Sequence, residues 1–353
     1  MNEAVAGSKK ILLVAGNSLS HLDINKFIKE IDVPIVQFSD FTPNPLYEEV
    51  CKGVELFNSE MCDTILGIGG GSAMDVAKCI KLYCRMHQDK LYLEQEYKDT
   101  GVKLIAIPTT AGTGSESTRY AVIYYDGKKQ SVTHDSILPN VAILEPSVLK
   151  KLPVYQKKCT MLDALCQGIE SWWSVNSTDK SKILSRQAVE IILQWWHEYI
   201  FENTDESAKH IMEAANLAGQ AISITQTTAP HAFSYKITSI YKIPHGHAVA
   251  VCLPEIWEYM LNNMDKCVDS RGSAHLSNVF IEISKVFGVP YPLDAVMRFR
   301  QMLIEMELSN PVSNSKDTDI AILCCSVNPI RLKNNPVALE VQTIQKIYND
   351  VVR

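Results

Sequence analysis

Three of the nine histidines in this 353-residue chain fall in one stretch, Pro230 to Ala248. His231, His245 and His247 are separated there by a run that can be helical from near His231 to Ile240 and by a proline, Pro244. Neutral imidazole is the commonest protein ligand for a metal ion. On one straight helix His231 and His245 would stand roughly 21 Å apart, at about 1.5 Å of rise per residue, beyond the reach of a shared ion. Pro244 changes that, because proline has no N–H and its ring clashes with the preceding turn. If the chain turns at Tyr241–Pro244 and a second helix starts near His245, the two rings converge. From the histidines alone the simpler account is a buried helix histidine and a loop histidine beside a glycine turn.

These residues need elements to hold them. Net charge is −6, and 46% of the residues are hydrophobic. A sizeable core is therefore expected, and neither nucleic acid nor a membrane surface is an expected partner, since both call for a basic footprint. The ten cysteines form no CxxC pair and mostly sit in apolar runs, as reduced, packed thiols of a cytoplasmic protein do. Residues 1–10 do not read as a secretory leader, and no apolar run approaches the roughly 20 residues that span a bilayer.

Short apolar runs at 11–15, 34–38, 64–68 and 103–107 read as buried strands, with helices over 22–30, from near Leu46, and over 73–84. Strands alternating with helices imply a parallel sheet with crossover helices. Gly69-Gly70-Gly71-Ser72 closes the third strand and opens a helix that carries Asp75 and Lys78. Three glycines admit a close ligand, and the helix N-terminus favours phosphate; a tight strand-to-helix turn would look the same. A second small-residue cluster, Pro108 to Glu116, follows the fourth strand. Two such loops at carboxyl ends of parallel strands are where a dinucleotide binds. Ser39, just past the second strand, stands where an acidic residue would hold a ribose 2′-hydroxyl and repel a 2′-phosphate. It favours NADPH over NADH, unless it is only a loop residue. From Pro153 onward helical periodicity takes over, with long helices at 184–199, 206–226, 274–286, 291–307, 318–326 and 340–352. Asp163 and Gln167 share one face of a helix. The expected division is an α/β dinucleotide-binding domain over residues 1–150 and an all-helical domain over 151–353.

Four segments resemble one family. Gly69 to Lys78 is similar to the GGGSxxDxAK motif of the iron-containing (group III) alcohol dehydrogenases, Pro108 to Glu116 to its PTTxGTGSE, and Pro244-His245-Gly246 to its PHG, with His231 at the matching distance upstream. Asn335-Pro336 is a fourth point of likeness. The resemblance covers nearly the whole chain in order. It implies the two-domain architecture just described, shared with dehydroquinate synthase, with the active site in the cleft between. It implies one divalent metal, Fe²⁺ or Zn²⁺, on Asp163, His231 and His245. It places the cofactor on Gly69, Gly70, Gly71, Ser72, Asp75, Thr109, Thr110 and Thr113. The family often has a histidine four residues after the ligand aspartate; this chain has Gln167, a weaker fourth donor. Where a second family histidine stands, it has Tyr235, and it adds His247; either could relay a proton.

The segments Asp163 to Thr178 and Ser234 to Ala248 resemble the phosphonoacetaldehyde reductase branch. That likeness implies reduction of phosphonoacetaldehyde to 2-hydroxyethylphosphonate with NADPH or NADH. A phosphonate needs charge-assisted donors, for which Arg119, Lys236 and Arg331 are candidates, though each could be a solvated surface cation. The rival expectations are a polyol or simple alcohol dehydrogenase of the same family, a dehydroquinate synthase-like cyclase using NAD without net redox, and a nucleotide-binding protein that has lost its metal. A homodimer is kept open.

Overall fold

The computed structural model describes residues 1–353. They group into two compact units, residues 1–152 with 204–212, and residues 153–203 with 213–353.

The first unit is built on a five-stranded, all-parallel sheet of order β2-β1-β3-β4-β7. Its strands are β1 Ile11–Ala15, β2 Ile35–Phe38, β3 Thr64–Gly69, β4 Lys103–Pro108 and the short β7 Val141–Ala142. β1 is buried along its whole length and β3 nearly so, as strands covered on both faces must be. Helices α1 Ile24–Ile28, α2 Tyr47–Ser59 and α3 Gly71–Tyr83 belong to this unit. α1 is shorter than the span expected at 22–30, and a 3₁₀ turn at Asn17–His21 precedes it. The register Gly69↔Pro108 sets the ends of β3 and β4 side by side, so the loops that follow them are neighbours. No strand is expected between the second small-residue loop and residue 140, yet β5 Tyr120–Tyr125 and β6 Lys128–Thr133 pair as an antiparallel hairpin. Its turn, Asp126-Gly127, has both residues at positive φ, and this dipeptide is the signal for such a two-residue turn.

The second unit is helical: α4 Val154–Trp173, α5 Asp179–His197, part of α6 Asp205–Thr225, α7 Ala229–Tyr241, α8 His245–Asn262, α9 Ser273–Val286, α10 Pro292–Glu305, α11 Lys316–Ser326, α12 Pro329–Leu332 and α13 Val341–Val351. Its core includes Trp173, whose ring lies edge-on to Trp257 at 5.5 Å and to Phe280 at 6.1 Å. α13 presents Tyr348, whose hydroxyl donates to the Phe233 carbonyl at 3.0 Å and whose ring rests 4.7 Å from Phe233. No helix in either unit is long and apolar enough to cross a membrane.

The break between α7 and α8 is local chemistry. Pro230 sits in the first turn of α7, where its missing N–H costs nothing. α7 ends at Tyr241, and Lys242 caps it in the left-handed conformation at φ 56°. Pro244 is the N-cap of α8, so His245 opens that helix. Gly246 is there for space. A Cβ on it would lie 1.9 Å from the Cys159 carbonyl oxygen and 3.0 Å from Asp163 Cβ. α8 therefore meets α4 backbone to backbone beside Asp163. Gly246→Ala is expected to lower unfolding free energy by at least roughly 1–3 kcal/mol, the usual cost of overpacking, in a urea titration; an unchanged midpoint would contradict this packing.

Candidate metal centre

α4, α7 and α8 each bring one donor to a common point. Asp163 lies on α4, His231 in the first turn of α7, and His245 at the start of α8. One ligand atom from each lies within 4.8 Å of the others. His231 Nε2 is 3.2 Å from Asp163 Oδ1, and His245 Nε2 is 4.0 Å from the same oxygen. Donors on a tetrahedral ion, with bonds of about 2.0–2.1 Å, stand roughly 3.3–3.4 Å apart. The trio is therefore close to ligating spacing. Asp163 and His231 are each 4% exposed, while His245 is half-buried, so solvent or a substrate has access on that flank.

The hydrogen bonds around His231 decide what the site can accept. His231 Nδ1 bonds to Glu170 Oε1. The other Glu170 oxygen accepts from the Thr228 backbone N–H at 2.7 Å and from its hydroxyl at 3.0 Å. A carboxylate only accepts, so Nδ1 carries the hydrogen and Nε2 turns a lone pair toward Asp163. Lone pair facing carboxylate at 3.2 Å is repulsive unless a cation lies between. In the metal-free protein a proton fills that role. Burial opposes charging His231, but Glu170 and Asp163 outweigh it and raise its pKa to about 9. Burial likewise works to raise the Asp163 pKa, yet the His231 bond and the His245 charge keep it below the usual carboxylate value.

Gln167, one turn after Asp163, adds a second indication. Its amide hydrogen-bonds toward Asp163, and its Oε1 is buried without a partner. A buried carbonyl oxygen without a donor is unusual and is a suitable fourth contact for a divalent ion. The residues present thus fit a divalent metal: two imidazoles, one carboxylate, one spare amide oxygen and one accessible flank.

The neighbouring groups divide. Tyr235 stacks on His245, with ring centres 5.6 Å apart and planes 6° from parallel. Burial raises its pKa, and the Arg331 guanidinium, which bonds to it, works against that rise. Arg331 also donates to Gln226 Oε1 at 2.7 Å, and Asn334 donates to the same oxygen at 3.3 Å. Lys236 follows Tyr235 on α7 but is exposed. His247 is turned elsewhere. Its Nε2 is 2.9 Å from the Ser309 carbonyl and its Nδ1 is 2.9 Å from the Tyr155 hydroxyl. Both nitrogens are engaged, and burial lowers its pKa.

In the first unit the two small-residue loops meet. Thr109 N donates to the Gly69 carbonyl at 3.0 Å. Gly70 is the N-cap of α3. A Cβ on Gly71 would come within 3.2 Å of Thr113 Cγ2, and one on Gly70 within 3.5 Å of Thr110. Ser72 Oγ accepts from Asn44 N at 3.3 Å. Lys78 is fully buried and donates to Ser115, Thr118 and the Tyr120 carbonyl at 2.8–3.0 Å, which fixes the second loop. Burial raises the Asp75 pKa to about 7 against the pull of Lys78. Ser39 is exposed just beyond β2, and its neighbour Asp40 pairs with Lys52 at 2.8 Å. Arg119 is committed to Asp135 at 2.6 Å.

Glu170, which bonds to His231, and Thr228, which bonds to Glu170, are not among the residues expected at the site from the sequence. The signal for Glu170 was available: Asp163, Gln167 and Glu170 follow the i, i+4, i+7 spacing of one helix face.

Residues 1–146 match the family model described as iron-containing alcohol dehydrogenase, and residues 158–352 match that of the C-terminal part of the Fe-containing alcohol dehydrogenase family. The chain is 34% identical over 244 residues to aldehyde-alcohol dehydrogenase 2 of Entamoeba histolytica, covering 65% of this chain but only 28% of that longer protein. It is 30% identical over 305 residues to phosphonoacetaldehyde reductase of Streptomyces viridochromogenes, covering 82% of this chain and 76% of the relative. Its fold matches the crystal structure of sulfoacetaldehyde reductase from Bifidobacterium kashiwanohense in complex with NAD⁺ with a TM-score of 0.87, at 26% identity, over 99% of this chain and 92% of the other.

A pH prediction follows from His231. Its folded pKa of about 9 lies above the ordinary 6.5, so its ion pairing stabilises metal-free protein fully below about pH 6.5 and is lost as pH rises through 9. In chelator-treated protein, the difference in thermal midpoint between wild type and His231→Asn should shrink between these values. A difference that grows with pH would contradict the assignment.

Proposed function

The chain belongs to the iron-containing alcohol dehydrogenase family, and from that premise we propose that this oxidoreductase reduces phosphonoacetaldehyde to 2-hydroxyethylphosphonate with NADPH at a divalent metal. Asp163, His231 and His245 hold the ion, and Gln167 Oε1 is the fourth protein donor. The balanced reaction takes one aldehyde, one NADPH and one proton to the alcohol and NADP⁺. When bound, the ion supplies Lewis-acid polarisation of a carbonyl oxygen and the nicotinamide supplies hydride.

The remaining work falls to side chains of this chain. Gly69, Gly70, Gly71 and Ser72, with Thr109, Thr110 and Thr113, line a phosphate cradle at the N-terminus of α3. Asp75, half-buried one turn before the buried Lys78, is the acidic member of that cradle. Ser39 leaves room for a 2′-phosphate that an aspartate would repel. Tyr235 supplies the proton to the product oxygen. It is preferred to His247, whose two nitrogens are already bonded.

The observation that carries the substrate reading is the line Arg331, Tyr235, His245. A guanidinium bonded to a phenol that stacks on the half-buried donor of the trio suits an aldehyde with a strongly anionic end. Two relatives are named for reduction of such aldehydes, one a phosphonate and one a sulfonate. Arg119, paired with Asp135, and Lys236, exposed, are secondary candidates. The expected assembly is a homodimer and the expected compartment the cytoplasm.

The test is NADPH oxidation by purified protein with phosphonoacetaldehyde against propionaldehyde and glyceraldehyde. A preference of at least about tenfold in kcat/KM, or 1.4 kcal/mol, is expected for the phosphonate. Equal turnover of the neutral aldehydes would reject it. Arg331→Met should raise KM for the phosphonate well beyond that for propionaldehyde. Ser39→Asp should reverse the cofactor preference toward NADH, as the ratio of kcat/KM for the two cofactors reads directly; an unchanged ratio would remove Ser39 from the cofactor site.

A further inference from the structure

We propose that Glu170 is the positioning residue of the metal centre: it fixes the tautomer and orientation of His231 and balances the charge of the ion. This inference rests on the reading that Asp163, His231 and His245 hold a metal.

Glu170 has no exposed surface at all. No lysine or arginine pairs with it. Its partners are His231 Nδ1 on one oxygen, and the Thr228 N–H and hydroxyl on the other. A buried carboxylate without a cationic partner is costly. The one place a positive charge can reach it is through the imidazole of His231. Thr228 in turn is held from behind. The Trp173 indole N–H donates to its hydroxyl at 2.9 Å, in the core of the helical unit. The line therefore runs Trp173, Thr228, Glu170, His231, and then Asp163 at 3.2 Å. Each member fixes the next, and Glu170 lies two turns along α4 from Asp163, so one helix supplies both a ligand and the group that orients its neighbour.

Two consequences follow for a bound ion. First, with Nδ1–H given to Glu170, only Nε2 can ligate, and the ring cannot flip without losing a buried bond. Second, Glu170 and Asp163 together carry two negative charges, which neutralise a divalent ion. Hydrogen bonding of a ligating imidazole to a carboxylate also raises its basicity. The His231–Glu170 pair thus compensates in part for the histidine that Gln167 does not provide.

The experiment is Co²⁺ titration of metal-stripped wild type and Glu170→Gln, by calorimetry and by the visible absorption of the bound ion. The carboxamide can accept from His231 with its oxygen, but it then turns an NH₂ toward the Thr228 donors. We expect Co²⁺ affinity to fall about 10–100-fold, the usual effect of losing such a partner, with a changed visible spectrum. Far-UV circular dichroism and gel filtration should match wild type. Thr228→Val, which keeps the carboxylate and the backbone N–H bond, should give a smaller loss in the same direction. It decides the question if Glu170→Gln does not fold. Wild-type affinity and spectrum in the folded variants would overturn the role of Glu170 while leaving the metal reading intact. A wild-type protein that binds no Co²⁺ would overturn both.

Discussion

An imidazole lone pair and a carboxylate oxygen stand 3.2 Å apart in the core of the helical unit, and the arrangement is stable only with a positive charge between them. Glu170 creates this condition by accepting a hydrogen bond from His231 Nδ1–H. The metal-free protein meets it by holding His231 protonated well above its ordinary pKa. A divalent cation held, as proposed, by Asp163, His231 and His245 would meet it as well. Under that proposal proton and metal would compete for one position, and the same contacts would govern stability without the ion and affinity for it.

The backbone around that position is arranged for close approach. Lys242 ends α7 in the left-handed region, Pro244 restarts the chain, and Gly246 lets α8 lie against the Cys159 carbonyl. Without the break His231 and His245 would be turns apart on one rod. Without the glycine α8 would stand off from α4, and His245 would move away from Asp163. Interiors are packed too densely for such a gap to close by small adjustments. Gln226, at φ 61°, serves a similar local purpose. It presents an amide oxygen to Arg331 and Asn334 and so ties α12 to the start of α7.

Much of this was legible in the residues. The strands expected at 11–15, 64–68 and 103–107 show in the sequence as short, largely apolar runs, since a doubly covered strand has no polar face. The two histidines could be brought together on paper only on the condition that the chain turns at Tyr241–Pro244, which it does; a proline alone does not settle this, since Pro254 lies inside α8. Other features depend on partners far along the chain. Glu170 reads as one more carboxylate on a helix until Thr228, 58 residues away, and His231, 61 residues away, close on it. Arg331 is one cation among 34 lysines and arginines, and only tertiary structure brings it to Tyr235. His247 lies two residues after His245, yet its ring is turned to Tyr155 and Ser309, because helix positions two apart do not share a face. The 120–133 hairpin carries only one local mark, the Asp126-Gly127 turn.

The most direct measurement is X-ray diffraction from crystals of the metal-loaded protein, with anomalous difference maps recorded on either side of the absorption edge of the ion. The account predicts a single strong peak within bonding distance of Asp163 Oδ1, His231 Nε2 and His245 Nε2, with Glu170 still on His231 Nδ1. A peak elsewhere, or an ion ligated by only one of the three, would contradict it.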